Sequence, residues 1–189
     1  ESLLIATESD TERQARFERH GYKLRGYSYY ERSRSLEGPI PEPVLPEGFA
    51  IRHITRDDEL ERRVAVHRDA FAPSKMTVEK HQAVRRAETY RPELDLVVVA
   101  PDDSFAAYCL VWFDESNKAG LFEPVGCHSD YRRRGLAKAV MFEGMRRLKD
   151  LGAELAIVNC KADSVHANAL YDSVGTTVVD RDGDWVRAL

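Results

Sequence analysis

The chain has 189 residues, 43% hydrophobic and 32% charged, a balance that fits one folded core and excludes disordered and fibrous classes. Its 28 Lys and Arg against 32 Asp and Glu leave a formal net charge of −4, which supplies no global field for nucleic acid, so no nucleic-acid partner is expected. Cys109, Cys127 and Cys160 lack paired or C-x-x-C spacing, which predicts reduced thiols rather than disulfides or zinc, and with no apolar run near the ~20 residues that span a bilayer, a cytoplasmic chain without membrane contact is expected.

In chain order, Leu3–Ala6 predicts a strand, Asp10–His20 a helix ended by Gly21, and Tyr27–Arg32 a further strand. Residues 38–48 hold four prolines in eleven positions and read as a stiff extended linker. Phe49–Ile54 then alternates like a strand. Asp57–Phe71, capped by Thr55 or Asp57, and Thr77–Tyr90 follow as helices. Leu94–Ala100, Phe105–Phe113 and Ala119–Val125 are strands joined by turns at Asp102-Asp103-Ser104 and Asn117-Lys118. A long helix runs from about Arg134 to Leu151 and stops at Gly152. Leu155–Asn159 is a strand, Ser164–Val174 a helix, and Thr176–Arg181 is expected to pair with Trp185–Ala188 across Asp182-Gly183. Pro124 lies inside a strand and demands an interrupted ladder there.

Residues 121–138 carry the chemistry. An apolar strand enters a short polar turn, then Arg132-Arg133-Arg134-Gly135 opens an amphipathic helix marked by Leu136, Val140, Met141, Met145 and Leu148. Unpaired N–H groups and the helix dipole at such a start suit a phosphate, and Gly135 lets it approach. Neither G-x-x-x-x-G-K-[ST] nor a strand-borne G-x-G-x-x-G is present.

Arg132-Arg133-Arg134-Gly135-Leu136-Ala137 resembles the R-x-x-G-x-A coenzyme A pyrophosphate loop of the GNAT acyltransferase superfamily. Cys127, Ser129 and Tyr131 stand where that family usually has Val, Pro and an aromatic residue. Farther on, Ala167-Asn168-Ala169-Leu170-Tyr171-Asp172-Ser173-Val174-Gly175 resembles its N-x-x-A-x-x-L-Y-x-x-x-G-F helix. The resemblance covers roughly Gly48 to Leu189 and departs at Ser129, usually Pro, and at Thr176, usually Phe. It implies an α/β (α+β) fold with a mixed central sheet, its fourth and fifth strands splayed around the cofactor and flanked by helices. The element order β-α-α-β-β-β-α-β-α-β-β after the linker agrees. Because Ala15–Gly21 resembles Ala169–Gly175 and the chain starts at Glu1 rather than Met, residues 1–37 are expected to be the C-terminal end of a preceding GNAT-like unit, with 49–189 as the acyltransferase domain. An ordinary N-terminal extension is the alternative. Leu3–Ala6 and Tyr27–Arg32 should dock on the domain's sheet, on each other, or on a second chain such as a homodimer partner. A chain starting near Glu47 is then expected still to bind coenzyme A.

The resemblance further implies acetyl transfer from acetyl-CoA, without a metal, to a primary amine of a small molecule or peptide by direct attack in a ternary complex. An alkylammonium of pKa near 10.4 must first lose a proton. Glu123 is the candidate base, with a salt-bridged strand-end carboxylate or substrate anchor as the alternative. Tyr171 is at the family's general-acid position, or is a core tyrosine. The cofactor's expected contacts are Val125, Cys127, Arg132, Arg133, Arg134, Gly135, Leu136, Ala137 and Asn168, with the backbone of Val125 and Cys127 pairing with pantetheine. A Cys127–His128 nucleophilic pair is disfavoured because strand neighbours point to opposite faces. His20, His53, His67, His81 and His166 read as surface or capping groups without metal spacing. Asp69, Glu88 and Asp184 could attract a cationic amine. A non-catalytic acyl-CoA sensor is the competing function.

Overall fold

The computed structural model describes residues 1–188; Leu189, the last residue of the expected 49–189 domain, lies outside them. In chain order the elements are β1 (Ser2–Thr7), α1 (Thr11–Arg19), β2 (Lys23–Ser35), β3 (Ala50–His53), α2 (Leu60–Ala70), α3 (Val78–Arg85), β4 (Asp95–Val99), β5 (Phe105–Asp114), β6 (Ala119–Cys127), α4 (Leu136–Asp150), β7 (Leu155–Lys161), α5 (Val165–Ser173) and β8 (Thr177–Arg187). Short 3₁₀ turns at Asp57–Glu59, Pro92–Leu94 and Ser129–Tyr131 complete them. They gather into two compact units, Ser35–Ala156 and a second made of Glu1–Arg34 with the stretch from Ile157 on. The segment before the prolines therefore shares a unit with the end of the chain.

In that unit the strand order is β1-β8-β2-β7. β8 runs antiparallel to β1 on one side and to β2 on the other, so β1 and β2 both dock on the C-terminal strand. The hairpin expected across Asp182-Gly183 does not form: Thr177–Arg187 is one continuous strand. Both of its edges are paired at that point, Gly183 lying opposite Ala6 and Tyr27. A Cβ on Gly183 would meet Leu24 at 2.9 Å, so this glycine serves close packing rather than a turn. Asp10 caps α1 by accepting from Arg13 N at 3.0 Å. Ser164 caps α5 in the same way, through Ala167 N.

In the unit Ser35–Ala156 the order is β6-β5-β4-β3, antiparallel throughout. Phe105–Val111 of β5 is buried without alternation, because helices cover both faces. Tyr108 meets His67 of α2, whereas its neighbour Cys109 points to Val140 of α4, opposite sides of a pleated strand. α4 approaches β6 closely, since a Cβ on Gly120 would lie 2.2 Å from Leu148 and one on Gly144 2.8 Å from Phe122. The proline-rich stretch is irregular, as expected, but docked: Lys149 donates to the carbonyls of Glu37 (3.1 Å) and Gly38 (2.7 Å), Arg146 pairs with Glu42 at 2.8 Å, and Leu36 and Ile40 are buried.

A polar knot sits inside this core. Arg63 Nε donates to Asp95 Oδ1 at 2.9 Å with both residues almost fully buried, and Tyr90 OH reaches Asp95 Oδ2 at 3.1 Å. His81, expected at the surface, is buried, with Nε2 3.1 Å from Asp95 Oδ2. The Arg63 guanidinium lies 3.7 Å over the Tyr108 ring. α3 ends at Arg85 rather than running to Tyr90, and the freed turn aims the Tyr90 hydroxyl inward at this aspartate. Among the described residues no helix is long and apolar enough to cross a membrane.

Candidate active site

The β5–β6 ladder breaks where Pro124 demanded it. Cys109 pairs with Val125 and Val111 with Phe122, so Glu123 and Pro124 together oppose the single residue Leu110, a β-bulge. Trp112 Nε1 donates to the Glu123 carbonyl at 2.8 Å and fixes the bulge. The Glu123 carboxylate is exposed, with no hydrogen-bond or ion-pair partner among the described residues, and the neighbouring residues still remove enough water to raise its pKa from the usual carboxylate value.

Past the bulge the register settles the backbone directions. His128 N donates to Ala106 O on β5 at 2.9 Å. By alternation the main-chain groups of Val125 and Cys127 face away from β5. Burial pushes the Cys127 thiol up to about 11, which disfavours a resting thiolate at neutral pH.

The turn after β6 is tied down from three sides. The Asp69 carboxylate at the end of α2 accepts from Ser129 N and from Ser129 Oγ at 2.9 Å. Burial opposes ionisation of Asp69, but these bonds and the nearby His128 and Arg132 hold its pKa low. Tyr131 OH reaches Asp102 at 3.0 Å and Ser104 at 2.8 Å, and its ring meets Phe49. Arg133 and Gly135 then adopt left-handed backbone, φ 66° and 78°. No side chain caps α4, so the amides of Leu136, Ala137 and Lys138 lack an intrahelical acceptor. The three arginines differ. Arg132 Nε folds back to Cys127 O at 3.4 Å, Arg134 to Asp130 O at 3.3 Å and over the Tyr131 ring, while Arg133 makes no side-chain contact of these kinds among the described residues. The Leu136 side chain is core, leaving only its backbone for a ligand.

The remaining two expected residues are in the other unit, on α5. Tyr171 is 7% exposed. Asn168 Oδ1 accepts from Arg32 at 2.8 Å and its Nδ2 donates to Ser164 O at 2.9 Å. The expected set thus falls as Glu123, Val125, Cys127 and residues 132–137 in one unit, with Asn168 and Tyr171 in the other.

The model of the Acetyltransferase (GNAT) family matches residues 56–176. The chain belongs to the GNAT acetyltransferase family. It is 26% identical over 172 residues to a mycothiol acetyltransferase of Streptomyces coelicolor, covering 87% of this chain and 56% of that protein. The structure of a GCN5-related N-acetyltransferase from Sphaerobacter thermophilus superposes with a TM-score of 0.78 at 24% identity, covering 98% of this chain and 60% of that one. A tandem GNAT protein from the clavulanic acid biosynthesis pathway superposes at 0.72 with 15% identity, over 97% of this chain and 63% of that one. The chain spans about half the length of the curated relatives it matches. These likenesses establish the GNAT family and its fold.

Several residues of this GNAT chain escaped the sequence. Asp69 is committed to the loop, and Asp184 to Ser28 (2.7 Å) and Arg25 (3.1 Å), so neither carboxylate stands open to an amine as expected. Arg32 and the Arg63–Asp95–His81 knot gave no local signal, because their partners are distant in sequence. Among the described residues no group of three or more His, Cys, Asp or Glu is placed to hold a metal ion.

Proposed function

We propose that this GNAT chain transfers an acetyl group from acetyl-CoA to a primary amine by direct attack in a ternary complex. The observation that carries the reading is Glu123, a solvent-reachable carboxylate beside the break in β6, with no hydrogen-bond or ion-pair partner among the described residues and a pKa raised by partial desolvation. It removes the proton from the bound ammonium, and the amine nitrogen forms its bond to the thioester carbonyl carbon. Collapse of the tetrahedral intermediate breaks the C–S bond, Tyr171 protonates the leaving thiolate, and the second proton left on the nitrogen returns to the tyrosinate, giving the neutral amide and the free thiol. Pantetheine runs along the Val125–Cys127 backbone, where one N–H polarises the carbonyl. The pyrophosphate takes the amides of Leu136, Ala137 and Lys138, with Arg133 the arginine free to reach it. Asn168 serves this site by fixing the turn between β7 and α5 rather than by touching the cofactor first.

The relatives are named mycothiol acetyltransferases, so the acceptor of such an enzyme is the one to try first. That acceptor itself carries a thiol, so the assay reads acetylated product by mass spectrometry rather than free thiol, across a panel of amines including amino acids and peptides. Transfer to one amine, lost in Glu123→Gln and Tyr171→Phe, supports the enzyme. Tight acetyl-CoA binding with no transfer to any amine turns the reading to a sensor. The greater length of the relatives also supports reading residues 1–37 as the end of a preceding GNAT-like unit, since β1-α1-β2 repeats the strand-helix-strand order of β7-α5-β8.

A further inference from the structure

Arg32 is a buried cation, 3% exposed, on a strand that precedes the family-matched region. Burying a guanidinium is costly unless its donors are met. Here all the partners belong to α5 and the turn that ends it, 136 to 144 positions on in the chain. Nε donates to Thr176 Oγ1 at 3.1 Å, one terminal nitrogen to Asn168 Oδ1 at 2.8 Å, and the other to Asp172 and to Thr176 O at 3.3 Å.

Thr176 passes this anchor on. Gly175, φ 80°, turns the chain back at the end of α5. Thr176 N then donates to Tyr171 O at 3.1 Å and Gly175 N to Asp172 O at 3.0 Å, the paired bonds of a Schellman motif. Thr176 adds a third bond, from Oγ1 to the same Tyr171 carbonyl at 2.9 Å. Its hydroxyl thus accepts from Arg32 and donates to the Tyr171 peptide, inside a buried site where a lone hydroxyl would be penalised. Phenylalanine, the residue the family pattern has here, could do neither.

We propose that Arg32, acting through the Thr176 hydroxyl, is a positioning residue for Tyr171, so that the strand before the proline stretch helps set the proton donor. The inference rests on the reading of Tyr171 as that donor. It accounts for the Thr176 departure, since a buried arginine arriving from β2 requires an acceptor at that place.

The test is a cycle of Thr176→Val, Thr176→Ser and Arg32→Lys, each with and without Tyr171→Phe, assayed with acetyl-CoA and the best amine of the panel. Displacement of a reacting group by about 1 Å costs up to roughly a hundredfold, so Thr176→Val should lower kcat roughly ten- to a hundredfold with KM for acetyl-CoA unchanged. Thr176→Ser, which keeps the hydroxyl, should restore it. In the Tyr171→Phe background Thr176→Val should cost nothing more. Without any ligand, the Tyr171 signal in protein carrying ¹³Cζ-labelled tyrosine should shift in Thr176→Val and Arg32→Lys but not in Thr176→Ser. Wild-type kcat in Thr176→Val beside an impaired Tyr171→Phe overturns the positioning role alone. Wild-type kcat in Tyr171→Phe overturns the donor reading on which it rests. Equal losses from Thr176→Val in both backgrounds place the effect of Thr176 elsewhere than Tyr171.

Discussion

A carboxylate accepts a proton from an ammonium only while ionised, so the desolvation that makes Glu123 a stronger base also narrows the pH range in which it works. Its pKa is raised by burial, and kcat/KM should therefore climb with pH through a limb lying above the ordinary carboxylate range. Glu123→Gln is expected to remove that limb and cost ~10²–10⁴-fold in kcat; a pH–rate profile of the variant that keeps both the limb and the rate rules Glu123 out as base. Gly135 invites a different test. A Cβ there meets nothing within 4 Å, yet φ is 78°, a conformation costing an alanine about 1–2 kcal/mol. Gly135→Ala should therefore reshape the loop without disturbing the core. Coenzyme A affinity should fall roughly tenfold by calorimetry, the equivalent of about 1.4 kcal/mol, with little change in thermal midpoint; unchanged affinity places the pyrophosphate elsewhere.

At the scale of elements, the entry to α2 is held by one buried acid. Glu59, 1% exposed, accepts from Arg52 at 3.1 and 2.5 Å, Thr55 N at 3.0 Å, Arg56 N at 3.3 Å and Arg62 at 3.1 Å. Burial alone would raise its pKa, but these bonds and the Arg52 charge lower it to about 2. A depressed folded pKa gives stability that is complete above the unfolded value near 4.5 and is lost as pH falls toward 2. The shift corresponds to roughly 3 kcal/mol. Urea titrations should show the wild type losing its advantage over Glu59→Gln across that window; a constant difference from pH 7 to pH 2 refutes the assignment. Elements of this kind were legible where signals are local. The starts of α1 at Asp10 and α5 at Ser164, the broken ladder at Pro124 and the stop of α4 at Gly152 are each read from one residue beside a periodic run, whereas the cap expected at Thr55 or Asp57 is absent, α2 starting after Glu59 with no side-chain cap bond. Asp182-Gly183 misled because a turn glycine and a glycine packed beneath Leu24 look alike in sequence. Only the strands on both sides distinguish them, and those come from the other end of the chain. For the same reason Tyr171 and the 132–137 loop could be singled out as candidates from motifs, whereas the contacts of Arg32, Asp69 and the buried Asp95 could not.

For the molecule as a whole, the placement of β2 decides what the N-terminal segment is worth. In the order β1-β8-β2-β7 this strand lies between β8 and β7, and Ala162 N donates to Ser28 O at 2.9 Å at the end of β7. Removing residues 1–34 would strip β8 of both of its partners and leave Asn168, Asp172 and Thr176 without Arg32. Exposed strand edges and an unanchored α5 are expected to follow. A chain starting at Ser35, which keeps the proline stretch docked on α4, is therefore expected to lose acetyl transfer, because Tyr171 rides on the damaged unit, whatever coenzyme A affinity the 125–137 segment keeps. Hydrogen exchange separates the two effects. Amides of β7, α5 and β8 should lose protection in the shortened chain, while those of β5 and α4, whose core residues come from Ser35–Ala156, should keep it. Full protection of β8 together with normal turnover would mean that the segment is dispensable and that the C-terminal strand finds its pairing without it.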